Sequence, residues 1–329
     1  MKPFILKPRP PFRLDLTVWT LRRRFENQVD RWDGSTYRRV LPTNGKPLLI
    51  EVTQLDGPAA PRLSVRLHGD ETSPESRVLA TAALERLLGI RLDLSSFYDF
   101  ADGQPKLAVL AERFRGMKPP RFLTGFECLV NAIACQQFSL ASGIQLLNRF
   151  AENFGQRFEG QSHAGLDAIQ YAFPQSDDML EVDIEQLRAI GFSRQKATAL
   201  LSLAALIRAG EFDLDTLHAR SDQAALVELQ RLRGVGRWTA EYALLRGLGR
   251  LHVFPGDDVG ARNNLEKWLG STDKLNYETV ARALERWRSV KGLIYLHLLL
   301  DKLAAGGRVE ANSPSRTSTL VMGEIVCES

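Results

Sequence analysis

Hydrophobic residues along this 329-residue chain change their spacing near residue 90, and that change restricts the fold more than any single motif does. Before it, Leu48, Ile50 and Val52 alternate with other residues, and so do Leu63, Val65 and Leu67. A period of two buries one face of a sheet. Turn formers separate the runs at Asp33-Gly34, Asn44-Gly45 and Asp56-Gly57-Pro58. A helix is expected from about Pro74 to Leu88. Residues 1–90 therefore read as a small α+β domain of strand character.

Beyond residue 90 the spacing becomes helical. Phe126, Leu129, Val130 and Ile133 mark one helix face, and Leu146, Leu147 and Phe150 another. Leu187, Ile190, Ala197, Leu200, Leu201 and Leu203 mark more. Trp287, Val290, Leu293, Ile294 and the leucines to Leu303 predict a helix buried on most sides. Residues 91–305 are expected to be all helical. From Gly306-Gly307 onward, Ser, Thr and Pro predict a flexible tail over 306–329.

Charge and cysteine content narrow the partners. A net charge of +4 is compatible with nucleic-acid binding without establishing it. Arginines cluster at Arg22-Arg23-Arg24 and at Arg231, Arg233 and Arg237. The first run reads as a solvated helix face. Cys128, Cys135 and Cys327 are odd in number and lack close metal-type spacing. This argues against a disulfide framework and an iron–sulfur cluster, and no metal site built from side chains is expected. No run is long and apolar enough for a signal peptide or a membrane span. A cytoplasmic (nucleoid) or nuclear location, a monomer and no membrane contact are the expectations.

The stretch Leu232-Arg233-Gly234-Val235-Gly236-Arg237-Trp238-Thr239-Ala240-Glu241-Tyr242 follows one helical segment and opens another. Two glycines one residue apart permit a tight turn with exposed backbone. The next helix then begins with free N–H groups, whose donors and dipole attract an anion such as a DNA phosphate. Such a contact fixes position, not sequence. Trp238 and Tyr242 are four apart and share a helix face. They are either stacking partners for a flipped base, favouring a cationic one, or two core aromatics.

About twenty residues on comes His252-Val253-Phe254-Pro255-Gly256-Asp257-Asp258-Val259-Gly260-Ala261-Arg262. Asp257 or Asp258 falls where an N-cap is expected, before a helix from Val259 to Leu269. A carboxylate there is suited both to capping and to N-glycosidic cleavage. The departing base leaves positive charge on the sugar, which a fixed negative group stabilises while it orients the attacking water. An alkylated purine already carries positive charge and can leave without a second carboxylate as acid.

Together these stretches resemble the helix-hairpin-helix (HhH-GPD) DNA glycosylase superfamily, most closely its AlkA-like, DNA-3-methyladenine glycosylase II branch. LRGVGRWTAEYALLRGLG is followed by HVFPGDDVG in order and at the family's spacing, supported by GFECLVNAIACQQFS, GFSRQKA and WRS. The resemblance covers about 120–300. It implies a mainly α-helical glycosylase domain in two lobes over 91–305. The N-terminal α+β domain would carry a TATA-binding-protein-like half sheet.

It further implies double-stranded DNA with a damaged, flipped base as the partner and release of alkylated bases of the 3-methyladenine type in base excision repair. Asp258 takes the catalytic position. Gly234, Val235, Gly236, Arg237 and Thr239 form the DNA-binding hairpin. No cofactor is implied beyond a structural monovalent cation at that turn. Trp238 and Tyr242 fall in the base pocket, and Gln137 at the wedge that fills the gap left by the base. Trp238 stands where bifunctional relatives have a nucleophilic lysine, so a monofunctional enzyme is expected. Gln137 is polar where the branch often has an aliphatic residue, and Tyr295 and Leu296 stand where it often has a pocket tryptophan. The same fold acting on oxidised or deaminated bases, and a non-catalytic damaged-DNA binder, are the alternatives.

Overall fold

The computed structural model describes residues 2–69, 73–159 and 170–312. The chain opens with β1 (Phe4–Leu6), α1 (Leu14–Arg22), β2 (Arg31–Trp32), β3 (Thr36–Leu41), β4 (Leu48–Gln54), β5 (Leu63–His68) and α2 (Pro74–Leu88). The strands form one antiparallel sheet in the order β1-β5-β4-β3-β2. Ile50 lies opposite Arg39 on one side and Leu67 on the other. That register gathers Leu48, Ile50, Val52, Leu63, Val65 and Leu67 on one face, against Val18 and Leu21 of α1 and Leu84 and Leu87 of α2. The expected alternation and the helix from Pro74 to Leu88 are both present, the latter started by a capping box in which Ser73 accepts from Ser76 N–H.

Helix α1 is a second helix in a domain for which the spacing predicts only one, from Pro74 to Leu88. Every residue from Leu16 to Arg22 is buried, so the segment has no polar face to display a helical period. Val18 and Leu21 pack under the sheet, whereas Leu16 and Trp19 enter a different core. The expectation of a solvated arginine face fails at the same place. Arg22 and Arg23 are only 3% and 7% exposed. Arg22 caps the carbonyls of Arg24, Phe25 and Trp32.

The helical region contains α3 (Ser95–Asp102), α4 (Pro105–Arg113), α5 (Gly125–Cys135), α6 (Leu140–Phe154), α7 (Ile184–Ala189), α8 (Arg194–Arg208), α9 (Asp222–Gln230), α10 (Arg237–Arg246), α11 (Val259–Leu269), α12 (Tyr277–Ala283) and α13 (Lys291–Ala305). It is not wholly helical. The strands β6 (Arg157–Phe158) and β7 (Gln170–Tyr171) pair antiparallel. Phe158 and Ala172 cover Val40 and Leu49, two apolar residues on the outer face of the sheet that would otherwise meet water. On the inner side Arg39 bridges Asp30 at 2.7 Å and Glu127 of α5 at 2.6 Å, fixing the sheet to the helices.

The helices build two cores. One holds Leu129, Phe150, Leu200 and Leu229 from α5, α6, α8 and α9. The other holds Phe97, Leu107, Leu265 and Leu296 from α3, α4, α11 and α13, with Leu16 and Trp19 of α1. Helix α10 serves both, placing Tyr242 and Leu244 in the first and Leu245 in the second. The site lies along this shared helix. The beginning of the expected flexible tail is fastened down. Asn312 donates to the carbonyls of Arg113 and Glu112 and accepts from Arg13. Residues 313–329 of that tail lie outside the described residues. Among the described residues no helix is long and apolar enough to cross a membrane.

Candidate active site

The turn between α9 and α10 is held from behind. Gly234 has φ +78°, and a Cβ there would lie 2.7 Å from the Cβ of Ala199. Both facts demand glycine. Gly236 is the N-cap of α10 and makes no side-chain cap hydrogen bond. Gly234, Gly236 and Arg237 are exposed. The first N–H groups of α10 thus open on a bare glycine turn, the arrangement that binds an anion.

Other parts of the expected hairpin turn their side chains inward. Val235 packs in the first helical core. Thr239 is 1% exposed and its Oγ1 accepts from Gln136 Nε2 at 2.8 Å. The same Gln136 nitrogen donates to the Gly234 carbonyl at 2.8 Å, tying the end of α5 to the turn. Lys196 Nζ donates to the carbonyls of Ala134 and Gln136 and lies 3.9 Å from the Phe138 ring centroid. Between these anchored residues Gln137 is exposed, with φ +57°. Arg237 is shared with the next loop. Its Nε donates to Asp257 Oδ2 at 2.7 Å, and its guanidinium stacks 3.6 Å from the Tyr277 ring centroid.

That ion pair separates the two neighbouring aspartates. Asp258, not Asp257, is the N-cap of α11, and its Oδ1 accepts from Ala261 N–H at 2.9 Å. Its Oδ2 accepts from the Tyr295 hydroxyl at 2.8 Å. Burial, with the Asp258 carboxylate next in weight, holds the Tyr295 phenol well above its usual pKa, so it remains a donor. The loop before Asp258 is set by Glu241 of α10. This carboxylate accepts from Gly256 N–H at 3.0 Å and from the Tyr277 hydroxyl at 2.6 Å. Burial pushes the Glu241 carboxyl up, opposed by those two hydrogen bonds.

Trp238 and Tyr242 share a face of α10 with ring centroids 5.5 Å apart. Trp238 is half-buried, whereas Tyr242 is buried and accepts from Arg23 Nη1 at 3.0 Å. Helix α10 thus carries two aromatic rings and an uncapped start, and through Arg237 and Glu241 it holds the loop that delivers the oriented carboxylate. A family model for base excision DNA repair proteins matches residues 130–289, which contain all of these except Arg23 and Tyr295. Residues 130–289 belong to the HhH-GPD superfamily.

Within the superfamily, Bacillus subtilis YfjP is 24% identical over 289 residues, 88% of this chain and 95% of that protein. DNA-3-methyladenine glycosylase 2 of Escherichia coli is 30% identical over 56% of this chain and 60% of its own length. Among solved structures, the 3-methyladenine DNA-glycosylase from Archaeoglobus fulgidus superposes with a TM-score of 0.76 at 24% identity, covering 90% of this chain and 97% of that one. The shared fold extends through the N-terminal sheet.

Four residues that hold this arrangement together escaped the sequence reading: Arg23, Gln136, Glu241 and, as the partner of Asp258, Tyr295. Tyr295 left a signal. A hydroxyl in an otherwise apolar buried helix requires a hydrogen-bond partner. Glu241 left the same one, a carboxylate amid the buried residues of α10.

Proposed function

We propose that this protein hydrolyses the N-glycosidic bond of alkylated bases in double-stranded DNA, as a monofunctional glycosylase of base excision repair. The observation that carries this reading is Asp258. Each of its oxygens is held by one donor, Ala261 N–H or Tyr295 Oη–H, and the loop that delivers it is fastened to α10 through Glu241 and Arg237. A carboxylate so fixed opposes the positive charge that grows on the sugar as the C1′–N bond breaks, and orients the incoming water. Family membership and the 3-methyladenine glycosylases among its relatives support the substrate class.

Each remaining part has a role consistent with its geometry. Gly234 and Gly236 bring backbone close to a phosphate, and Arg237 adds charge at the same edge. Trp238 and Tyr242 receive the flipped base, and exposed Gln137 occupies the vacated stack. A cation at the hairpin would be held by backbone oxygens; the described residues contain no cluster of three or more His, Cys, Asp or Glu. Leu232 O accepts one turn hydrogen bond, from Val235 N–H, and its second lone pair would help to hold a monovalent cation there. Trp238 offers no amine to the sugar, so strand cleavage is absent.

The test is release of 3-methyladenine and 7-methylguanine from methylated duplex DNA by the wild type and by Asp258→Asn. Release by the wild type alone is expected. Equal release by the variant would remove Asp258 from the mechanism, and binding of abasic-site DNA without release of either base would remove the alkylbase assignment.

A further inference from the structure

Among the described residues only two non-glycines adopt a left-handed backbone: Gln137 and Arg23. Such strain persists where surrounding structure imposes it, and it concentrates at functional positions. Arg23 belongs to the N-terminal domain, yet it ends α1 with φ +60° and turns into the helical site. Its Nη1 donates to the Tyr242 hydroxyl at 3.0 Å and its Nη2 to Asn131 Oδ1 at 2.7 Å. Its Nε is buried without a partner.

The charge balance here differs from that at Arg39, which is buried between two carboxylates. Arg23 donates to a phenol and an amide, with the Cys135 thiol also against it and the charge of Asp30 reaching it without a hydrogen bond. A second guanidinium, Arg246, is 1% exposed and donates to the Thr20 carbonyl, with Nε and Nη2 unpartnered. Both stack on Phe122, 5.6 and 5.3 Å from its centroid. Burying cations with no carboxylate in hydrogen-bond contact is costly, so a folded chain retains them against that cost. Because Tyr242 accepts from Arg23, its own proton is free to be donated, and no acceptor for it is found among the described residues.

We propose that Arg23 is the specificity-determining residue of this base pocket: acting through Tyr242, it presents a polarised donor and a positive charge to the flipped base, so that excision of uncharged bases depends on it far more than excision of cationic ones. This rests on the glycosylase reading above. In either reaction the C1′–N bond breaks and its electron pair passes to the base. Water oxygen bonds to C1′, and the water proton passes to the Asp258 carboxylate. A cationic base leaves neutral and needs no help. A neutral base leaves as an anion, taking a proton from solvent afterwards, and a charge-assisted donor stabilises that growing charge. Toward a base that enters cationic, the same guanidinium is repulsive.

The experiment measures single-turnover base release from duplexes carrying one hypoxanthine, which is neutral, or one 7-methylguanine, which is cationic. Arg23→Met is expected to lower the hypoxanthine rate relative to the 7-methylguanine rate by about tenfold or more. Tyr242→Phe should move the same ratio in the same direction, and the double variant should move it no further. Arg23→Lys should recover part of the ratio. Should Arg23→Met fail to fold, Tyr242→Phe, which removes one hydroxyl, carries the comparison. Equal losses on both substrates would reduce Arg23 to a structural role and overturn the assignment. Release of 7-methylguanine but never of hypoxanthine by the wild type would overturn it and leave the glycosylase reading standing. Release of neither would overturn both.

Discussion

The Tyr295 hydroxyl lies 2.8 Å from Asp258 Oδ2, so a residue of α13 orients the carboxylate that begins α11. The other carboxylate oxygen is held by Ala261 N–H within its own helix. Removing one donor leaves the carboxylate free to rotate about χ2. Tyr295→Phe should therefore slow base release by about tenfold, roughly what one lost hydrogen bond to a charged group is worth. Binding of abasic-site DNA should be retained. An unchanged single-turnover rate would show that Ala261 alone suffices to orient Asp258.

The two hairpin glycines should respond differently to alanine. At Gly234 a methyl group meets Ala199 at 2.7 Å and the backbone is left-handed, so Gly234→Ala should cost about 1–3 kcal/mol of stability. At Gly236 a Cβ meets nothing within 4 Å. Gly236→Ala should leave the urea midpoint nearly unchanged and weaken DNA binding, because the methyl stands beside the uncapped start of α10. Equal unfolding midpoints for the two variants would contradict this account.

Glu241 should act on rate through the loop that carries Asp258. Glu241→Ala strands the Gly256 N–H and the Tyr277 hydroxyl, each lost partner costing about 1–3 kcal/mol where it is buried. Glu241→Gln keeps an acceptor for one of them. The alanine variant should be the less stable and the slower in base release, with glutamine between it and the wild type. Identical behaviour of the two variants would mean that charge, rather than loop geometry, is what Glu241 supplies.

What could be read from the chain was local. The helix Pro74–Leu88 follows from a serine cap and a proline at the first turn, and Val259–Leu269 from the Asp258 cap and the left-handed Gly270 that ends it. The hairpin and Asp258 were legible because their chemistry lies within a few residues. Arg23 was not, since its partners Asn131 and Tyr242 are 108 and 219 positions away. Its neighbours gave no periodic signal because α1 is buried nearly all round. Read by composition alone, three consecutive arginines look like solvent-facing charge. Only the left-handed turn at Arg23 sends the middle one inward.

His297 should make the fold sensitive to acid. Its Nδ1–H donates to the Leu293 carbonyl at 2.8 Å, its Nε2 is buried without a partner, and the rings of Phe97 and Phe114 stand beside it. A second proton would have no acceptor, and burial lowers the pKa from 6.5 to about 4. Between those values the unfolded chain binds a proton that the folded chain refuses. Stability then rises with pH across the window and falls as pH drops through it. The full shift corresponds to about 3 kcal/mol, lost by the time the pH reaches about 4. Urea unfolding at pH 7 and pH 5 measures it. His297→Phe should unfold at more nearly equal urea concentrations at the two pH values than the wild type does. An equally steep loss in that variant would assign the acid sensitivity to other groups.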